Sequence, residues 1–261
     1  MGIPQRIVCL TAETTEIAFA LGAGERVVGV SGYSVRPPEA RRKPKVAAYT
    51  SARPDKILEL RPDVVLAFSD LQADLVRDLV KAGLTVLATN QRSLAETWDA
   101  IRLIGRALGA PSEAEKLAAD LQAEVERVRE EATRLPRRPR VYFEEWDDPL
   151  ISGIRWVAEL IQAAGGEDIF PELQAAHRAP DRVVDPADVV RRDPQVIVAS
   201  WCGKKVNLDR IRTRPGWQAI TAVRHDRIHE IKSPDILQPG PSLVRGLRQL
   251  TACIVPAAQR P

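Results

Sequence analysis

The chain has 261 residues, of which 44% are hydrophobic and 28% are charged, with 38 basic against 35 acidic side chains. This composition suits a globular protein, either one large domain or two lobes of roughly 120 residues each, and it excludes a disordered chain. Nucleic-acid binding would require a basic face interleaved with aromatic residues. The densest basic cluster, Leu135–Arg140, is short and broken by proline, and we interpret it as a solvated linker.

The first third of the sequence alternates strands with helices. Strands are predicted at 6–10, 27–30 and 84–88, and helices at 11–21 and 71–82. Threonine and glutamate residues at 11–16 suit the N-terminus of the first helix. This alternation predicts an α/β lobe with a mainly parallel sheet.

The middle of the chain is helical. A helix is predicted over 93–108, and a longer one begins at Ser112, where Glu115 completes a capping-box pattern. Apolar residues then recur at three- and four-residue steps over 117–135. The predicted helix, 112–135, has about 24 residues and a length of roughly 36 Å. We expect this helix to connect two lobes.

A second α/β lobe follows. Its predicted elements are strands at 140–145 and 227–231 and helices at 154–164 and 243–254. The predicted domain bounds are therefore 1–92 for an N-terminal α/β lobe, 93–136 for the helical connection and 137–261 for a C-terminal α/β lobe.

One segment occurs twice. Arg53–Phe68 reappears 132 residues later as Asp185–Ser200, with both prolines and the following apolar run in place. Each copy predicts a short helix, a turn and a buried strand of a parallel sheet. A spacing of this length indicates two similar lobes, and we expect function in the cleft that they form.

The histidine and cysteine residues give little support for metal binding or catalysis. His225 and His229 have the spacing of a zinc helix, but His225 lies in a predicted turn and His229 on the following strand. Cys202 and His225 could pair as nucleophile and base, yet no oxyanion loop accompanies the cysteine. No phosphate-binding glycine motif is present, so we predict no enzyme, no metal site and no resident cofactor.

The cysteine count and the chain start bear on the cellular compartment. Cys9, Cys202 and Cys253 form no pattern of a disulfide framework. The sequence opens on a strand without the regions of a signal peptide, and no apolar stretch reaches the length of a membrane span. We expect a cytoplasmic chain, or one whose targeting segment was removed.

Aromatic residues are few but fall at the predicted ends of strands. Tyr33, Phe68, Trp146 and Trp201 each end or follow a predicted strand, and Tyr49 lies in a loop. Ligands of open α/β sheets bind beyond the carboxyl ends of the strands. The pattern therefore predicts ligand contacts from both lobes.

Several sequence landmarks together resemble one family. They are 15–22, 28–34, 57–68, 151–153, 164–170 and 193–198. From Arg6 to Ile254 the chain resembles the class III substrate-binding proteins of ABC importers, which handle cobalamin, heme and ferric siderophores, and most of all the cobalamin-binding members. The resemblance implies two Rossmann-like α/β lobes joined by a single long helix, a monomer in the periplasm or at the cell surface, and capture of a corrinoid in the cleft for import.

The resemblance also implies roles for individual residues. The ligand-binding positions are Tyr33, Tyr49, Phe68, Trp146, Trp201 and Asp235, with Tyr49 and Phe68 standing where relatives have tryptophan. The transporter-docking carboxylates are Asp55 and, beside Ala187, the displaced Asp188. Cys253 matches one half of a disulfide whose other position here is Ala164.

Three alternatives stay open at the level of sequence. Heme would require an axial tyrosine, either Tyr33 or Tyr49. A ferric siderophore would favour arginines, with Arg53 and Arg155 as candidates. A cytoplasmic protein that handles or senses corrinoids without a transporter would retain the ligand-binding residues.

Overall fold

The computed structural model describes residues 2–48 and 51–259. The strands are β1 (Ile7–Cys9), β2 (Val27–Ser31), β3 (Lys45–Ala47), β4 (Val64–Phe68), β5 (Val86–Thr89), β6 (Arg140–Asp147), β7 (Leu150–Ser152), β8 (Glu167–Asp168), β9 (Val196–Ala199) and β10 (Ile228–Glu230). The helices are α1 (Ala12–Ala20), α2 (Pro54–Glu59), α3 (Ala73–Lys81), α4 (Leu94–Leu108), α5 (Pro111–Ala132), α6 (Arg155–Ala163), α7 (Pro186–Arg192), α8 (Leu208–Arg212), α9 (Thr221–Arg224), α10 (Ser233–Ile236) and α11 (Leu243–Gln259). Short 3-10 turns lie at Gly24–Arg26, Pro38–Arg42, Asp70–Gln72, Pro171–Leu173, Ala179–Arg182 and Trp217–Ala219.

The chain forms two compact units. The described residues of Met1–Gln122 and Gln238–Ser242 make unit 1, and those of Ala123–Leu237 and Leu243–Pro261 make unit 2. Helix α5 begins in unit 1 and ends in unit 2. Across residues 2–48 and 51–259, no helix combines the length and the apolar character needed to cross a bilayer.

Unit 1 is built on a five-stranded parallel sheet in the order β3-β2-β1-β4-β5. All five residues of β4 are buried, as expected for a central strand that is covered on both faces. The core of unit 1 includes Val8, Ile57, Val65 and Leu79. Because the strands are parallel, their carboxyl ends lie along one edge of the sheet.

Unit 2 is built on a sheet in the order β10-β9-β6-β7, with β8 also paired to β6. Among the described strands of this sheet, β7 alone runs antiparallel. Tyr142 on β6 packs edge-on against Phe170 and Trp217, with ring centroids 5.9 Å and 6.0 Å away. The predicted class of two α/β units with mainly parallel sheets, joined by one long helix, is confirmed.

The two central helices differ in detail from the prediction. The capping box occurs at Ser93 and Glu96, at the start of α4, and the prediction of one at Ser112 is wrong. Helix α5 already begins at Pro111, a position where the missing N–H of proline costs no hydrogen bond. Glu115 instead pairs with Arg102 on α4, at 2.8 Å.

The apolar stripe of α5 is also shifted toward its N-terminus. Its buried residues are Ala114, Ala118, Leu121, Val125, Val128 and Ala132. At the start of this stripe the buried residues are Ala114 and Ala118, and the predicted Leu117 is not among them. Small side chains are needed here because α4 approaches so closely that a Cβ on Gly105 would lie 2.1 Å from Ala114 Cβ. The helix ends at Ala132, three residues before the predicted Leu135.

The basic cluster at 135–140 is not a solvated linker. Arg137 donates to the carbonyl oxygens of Ala257 and Ala258 at the end of α11, at 2.7 Å and 3.2 Å. Arg140 donates to the carbonyl oxygens of Arg192, the last residue of α7, and of Asp193, which follows it. These guanidinium groups satisfy carbonyl groups at helix ends, which lack partners within the helix.

The doubled segment forms a helix, a turn and a strand in both units. Its first copy forms α2 and β4, and its second copy forms α7 and β9. The residue before the second proline, Arg61 in one copy and Asp193 in the other, has a φ of 44° in both. This left-handed conformation reverses the chain between helix and strand.

In unit 1 the turn of the doubled segment is bonded to the start of β1. The amide of Asp63 donates to the carbonyl of Arg6 at 2.8 Å, and Asp63 Oδ2 accepts from the amide of Arg6 at 2.9 Å. Arg6 Nε donates to the carbonyl of Leu60 at 2.8 Å. One arginine therefore joins the end of α2 to the start of the sheet.

Unit 2 repeats these three hydrogen bonds at equivalent positions. The amide of Gln195 donates to the carbonyl of Arg140 at 2.8 Å, and Gln195 Oε1 accepts from the amide of Arg140 at 3.1 Å. Arg140 Nε donates to the carbonyl of Arg192 at 3.0 Å. We call each set of three bonds the arginine lock.

The lock can be tested at its side-chain acceptors. We expect Asp63→Ala and Gln195→Ala each to lower the free energy of unfolding by about 1–2 kcal/mol, because backbone amides at the start of β1 or β6 lose their acceptor. Urea denaturation measures the change. Asp74→Ala, which removes an exposed carboxylate on α3, is the control and should stay within about 0.5 kcal/mol of the wild type. Losses no larger than that of the control would contradict a structural role for the lock.

Candidate functional site

Two tryptophans lie at the carboxyl ends of neighbouring strands in unit 2. Trp146 is the second-last residue of β6, and Trp201 follows β9 by two residues. Trp146 is half-buried, and Trp201 is buried with 3% of its surface exposed. Their indole nitrogens are anchored, since Trp146 Nε1 donates to the carbonyl of Asp148 and Trp201 Nε1 donates to Glu144, both at 3.0 Å.

One ammonium group contacts both indoles. Lys204 Nζ lies 4.1 Å from the ring centroid of Trp146 and 4.8 Å from that of Trp201. Both distances are within the range of cation–π attraction. The two rings are therefore close enough to act on one ligand.

A buried ion pair is hydrogen-bonded to Trp201. The carboxylate of Glu144 on β6 has no exposed surface and is held by both terminal nitrogens of Arg214, with one bond of 2.9 Å. The same carboxylate accepts from Trp201. The guanidinium of Arg214 also lies 4.5 Å from the ring of Trp217. Burial removes the hydration of both charges, and the hydrogen bonds to the two carboxylate oxygens and the guanidinium nitrogens compensate for this loss.

A second buried carboxylate holds Lys204. The side chain of Asp147 is 1% exposed and accepts from Lys204 Nζ at 2.6 Å and from Arg210 at 2.5 Å. Burial raises the pKa of Asp147, but the two cations lower it further, so its pKa lies below the ordinary value. Asp147 stays ionised at neutral pH.

Unit 1 presents a more polar edge. Tyr33 follows β2 by two residues and is 47% exposed, whereas Phe68 at the end of β4 is 1% exposed. Arg92, bonded to Asp70, lies 5.6 Å from the Phe68 ring. Tyr49 lies outside the described residues.

An unusual acid lies at the start of α1. Glu13 is fully buried, and its Oε1 has no hydrogen-bond partner within residues 2–48 and 51–259. Burial, assisted by the nearby charge of Glu16, raises the pKa of Glu13 to about 7, against a smaller lowering by Thr11. Glu13 lies in the first turn of α1 as predicted, but Thr11, the residue before the helix, makes no side-chain capping hydrogen bond.

The segment Gln238–Ser242 covers these acids. Gly240 lies so close that an added Cβ would stand 3.0 Å from Glu13 Cβ. Ser242 Oγ donates to Glu16 Oε2 at 2.5 Å, and the guanidinium of Arg36 lies 3.8 Å from Glu16. Neither feature is visible from sequence, because this segment is over 200 residues away from α1 along the chain.

The other predicted site residues lie on short helices. Asp235 is in the first turn of α10, where Gln249 donates to its Oδ2 at 3.1 Å. Asp55 is exposed in the first turn of α2. Asp188 occupies the first turn of α7 but pairs with Arg191.

The residues considered for metal binding or catalysis are not gathered into such a site. His225 is exposed after α9, and His229 lies on β10. In the described part of the chain no group of three or more histidine, cysteine or acidic residues could hold a metal ion. Cys202 is a free cysteine.

Sequence reasoning missed the charged residues around the tryptophans. Glu144 was detectable as the one acid within the buried run of β6, where a charge requires a partner. For Lys204, the one signal of a functional role in the sequence is its position three residues after Trp201. Its partners, Asp147 and Trp146, come from β6.

Comparisons with known proteins agree on the family. A family model described as periplasmic binding protein matches residues 7–234. An uncharacterized ABC transporter substrate-binding lipoprotein, YvrC, of Bacillus subtilis is 30% identical, over 97% of this chain and 81% of that protein.

Solved structures give the same result. The periplasmic heme-binding protein RhuT from Roseiflexus sp. RS-1, in apo form, matches with a TM-score of 0.86 and 29% identity, covering 99% of this chain and 100% of that chain. The periplasmic vitamin B12-binding protein BtuF of Vibrio cholerae matches with a TM-score of 0.79 and 25% identity, covering 99% of each.

The raised pKa of Glu13 predicts a pH-dependent stability. The folded state keeps a proton that the unfolded state releases, so stability is full below about pH 4.5 and falls as the pH rises to about 7. The total loss is roughly 3 kcal/mol. We expect Glu13→Gln to remove this loss, so that the variant exceeds the wild type in stability at pH 8 but not at pH 4.5.

Urea denaturation between pH 4.5 and 8 measures this difference. Glu25→Gln, at an exposed glutamate, is the control and should follow the wild-type profile. A Glu13→Gln profile parallel to that of the wild type would contradict a buried, proton-binding Glu13.

The Glu144–Arg214 pair gives a second prediction. Arg214→Met leaves Glu144 buried without its cation, and we expect a loss of about 3 kcal/mol in the free energy of unfolding. Thermal and urea denaturation measure it, with Arg224→Met at an exposed arginine as the control. An equal effect of the two substitutions would show that the pair does not stabilise unit 2.

Proposed function

This chain belongs to the periplasmic binding protein family, in its class III group, and we propose that it captures a corrinoid, cobalamin, for an ABC importer. Members of the family are substrate-binding proteins, and the family role implies a small-molecule ligand and a transporter partner. The proposal concerns the ligand and the residues that hold it.

The observation that carries the proposal is the pair of tryptophans in unit 2. Trp146 and Trp201 lie side by side at the edge where open α/β sheets bind ligands. A corrin is a broad plate with apolar faces and a rim of amides. A stacked ring favours binding by about 25 cal/mol for each Å² of apolar surface removed from water, before the costs of association. The half-buried Trp146 offers more of this surface than Trp201, which is 3% exposed.

Polar residues would fix the orientation of the plate. In unit 1 we propose the tyrosines Tyr33 and Tyr49 as contacts for the rim, and Tyr33 is 47% exposed. We also propose the apolar Phe68, which is 1% exposed, as a contact. Asp235 would accept from a rim amide in unit 2. The name of the Vibrio cholerae relative, a vitamin B12-binding protein, supports this ligand.

Docking to a transporter would use acidic residues at two helix starts. We propose Asp55 on α2 and Asp188 on α7 for this role. Asp55 is exposed, and the pairing of Asp188 with Arg191 reduces the charge that it offers. Ala187, at the position equivalent to Asp55, carries no charge.

Heme is the alternative that a specific observation favours. The Roseiflexus relative is a heme-binding protein, and Tyr33 is exposed enough to serve as an axial ligand. Of the two arginines considered for a siderophore, Arg155 is bonded to Glu159 at 2.9 Å, and Arg53 is exposed. A catalytic role is not proposed, since the family consists of binding proteins.

The ligand can be tested directly. We expect cyanocobalamin to bind purified protein with one-to-one stoichiometry at micromolar or lower concentration, measured by calorimetry. Trp146→Ala and Tyr33→Ala should each weaken binding about tenfold or more, because each removes one stacking or rim contact.

Leu103→Ala, which removes an exposed apolar side chain from α4, is the control and should bind as the wild type does. Absence of heat with cyanocobalamin, together with a shifted Soret band on addition of hemin, would replace the corrinoid proposal with the heme alternative.

A further inference from the structure

The faces of the two tryptophans proposed to hold the ligand are occupied by the protein itself. Lys204 Nζ lies 4.1 Å and 4.8 Å from the ring centroids of Trp146 and Trp201. Neither ring can turn away without losing the hydrogen bond of its indole nitrogen. A ligand that stacks on these faces must therefore meet the ammonium group.

The surroundings of Lys204 allow its side chain to leave. Asp147 is buried and shared, so after departure of Lys204 it still accepts from Arg210 at 2.5 Å. The Lys204 side chain is 41% exposed, which places water within reach of its ammonium group. Its backbone is held in a turn by a 3.3 Å bond from its amide to the carbonyl of Trp201. Only rotation of the side chain is required.

We propose that Lys204 is a specificity-determining residue that competes with the ligand for the faces of Trp146 and Trp201. This inference rests on the proposed function. A broad apolar plate that displaces the ammonium group gains contact with the half-buried ring of Trp146 and with the part of the Trp201 ring that the ammonium group covers. A small planar ring covers the face of one tryptophan only. The free energy of that contact is smaller than the free energy lost with two cation–π contacts and an ion pair. Lys204 thus selects large macrocycles against small aromatic compounds.

The test compares two adjacent lysines. Lys204→Ala removes the competitor, and we expect cyanocobalamin to bind about three- to thirtyfold more tightly by calorimetry. Lys205→Ala makes the same change in net charge at an exposed neighbour, and its affinity should stay within about twofold of the wild type. Unchanged or weaker binding by Lys204→Ala would overturn the inference, because the ammonium group would then be neutral to the ligand or in contact with it.

A measurement without ligand separates this inference from the proposed function. Four of the five tryptophans are at most 5% exposed, so quenching of fluorescence by acrylamide reports mainly on the half-buried Trp146. Lys204→Ala should raise the quenching constant, and Lys205→Ala should not. No rise would overturn the inference. If neither the wild type nor Lys204→Ala binds cyanocobalamin, the proposed function fails, and quenching alone decides whether Lys204 covers the indole.

Discussion

Both units depend on one constraint, which is the return of the chain from a short helix into a central parallel strand. The turn contains a proline, and the residue before it takes a positive φ of 44°. The side chain of an arginine at the start of the neighbouring strand donates a hydrogen bond to a carbonyl at the end of the helix. The backbone amide of that arginine donates to a side chain of the turn. The lock sets the register of β4 against β1 and of β9 against β6, and hence which residues lie at their carboxyl ends.

The same scaffold carries different chemistry in the two units. At the position of Leu10 in unit 1, unit 2 has Glu144, which lies opposite Ala199 in the register of the sheet. This buried acid brings Arg214 and the indole of Trp201 to the strand ends. Unit 1 instead buries Glu13 and Glu16 under the segment Gln238–Ser242. Unit 2 thus combines tryptophans with buried ion pairs, and unit 1 buries two glutamates.

Most of the fold was predictable because it depends on local patterns. The apolar runs of β4 and β9 are short and bounded by proline turns, so that strands were the only consistent interpretation. The errors occurred where a neighbouring element decides the outcome. Ser112 has the local pattern of a cap, but the close approach of α5 to Gly105 starts that helix at Pro111. The arginines at 137 and 140 look solvated until the helix ends that they cap are known.

The sequence alone determined the two α/β units, the long helix, the family and the set of aromatic residues at strand ends. These follow from periodicity, from the doubled segment and from motif spacing, all of which are contained in contiguous stretches of chain. Only the tertiary structure decided that Lys204 contacts both tryptophans, that Glu144 forms an ion pair with Arg214, and that Gly240 packs against Glu13. Each of these contacts joins residues at least 57 positions apart, or depends on the two strand ends lying side by side. Burial and charge pairing arise only when the sheet has formed, and no local pattern records them.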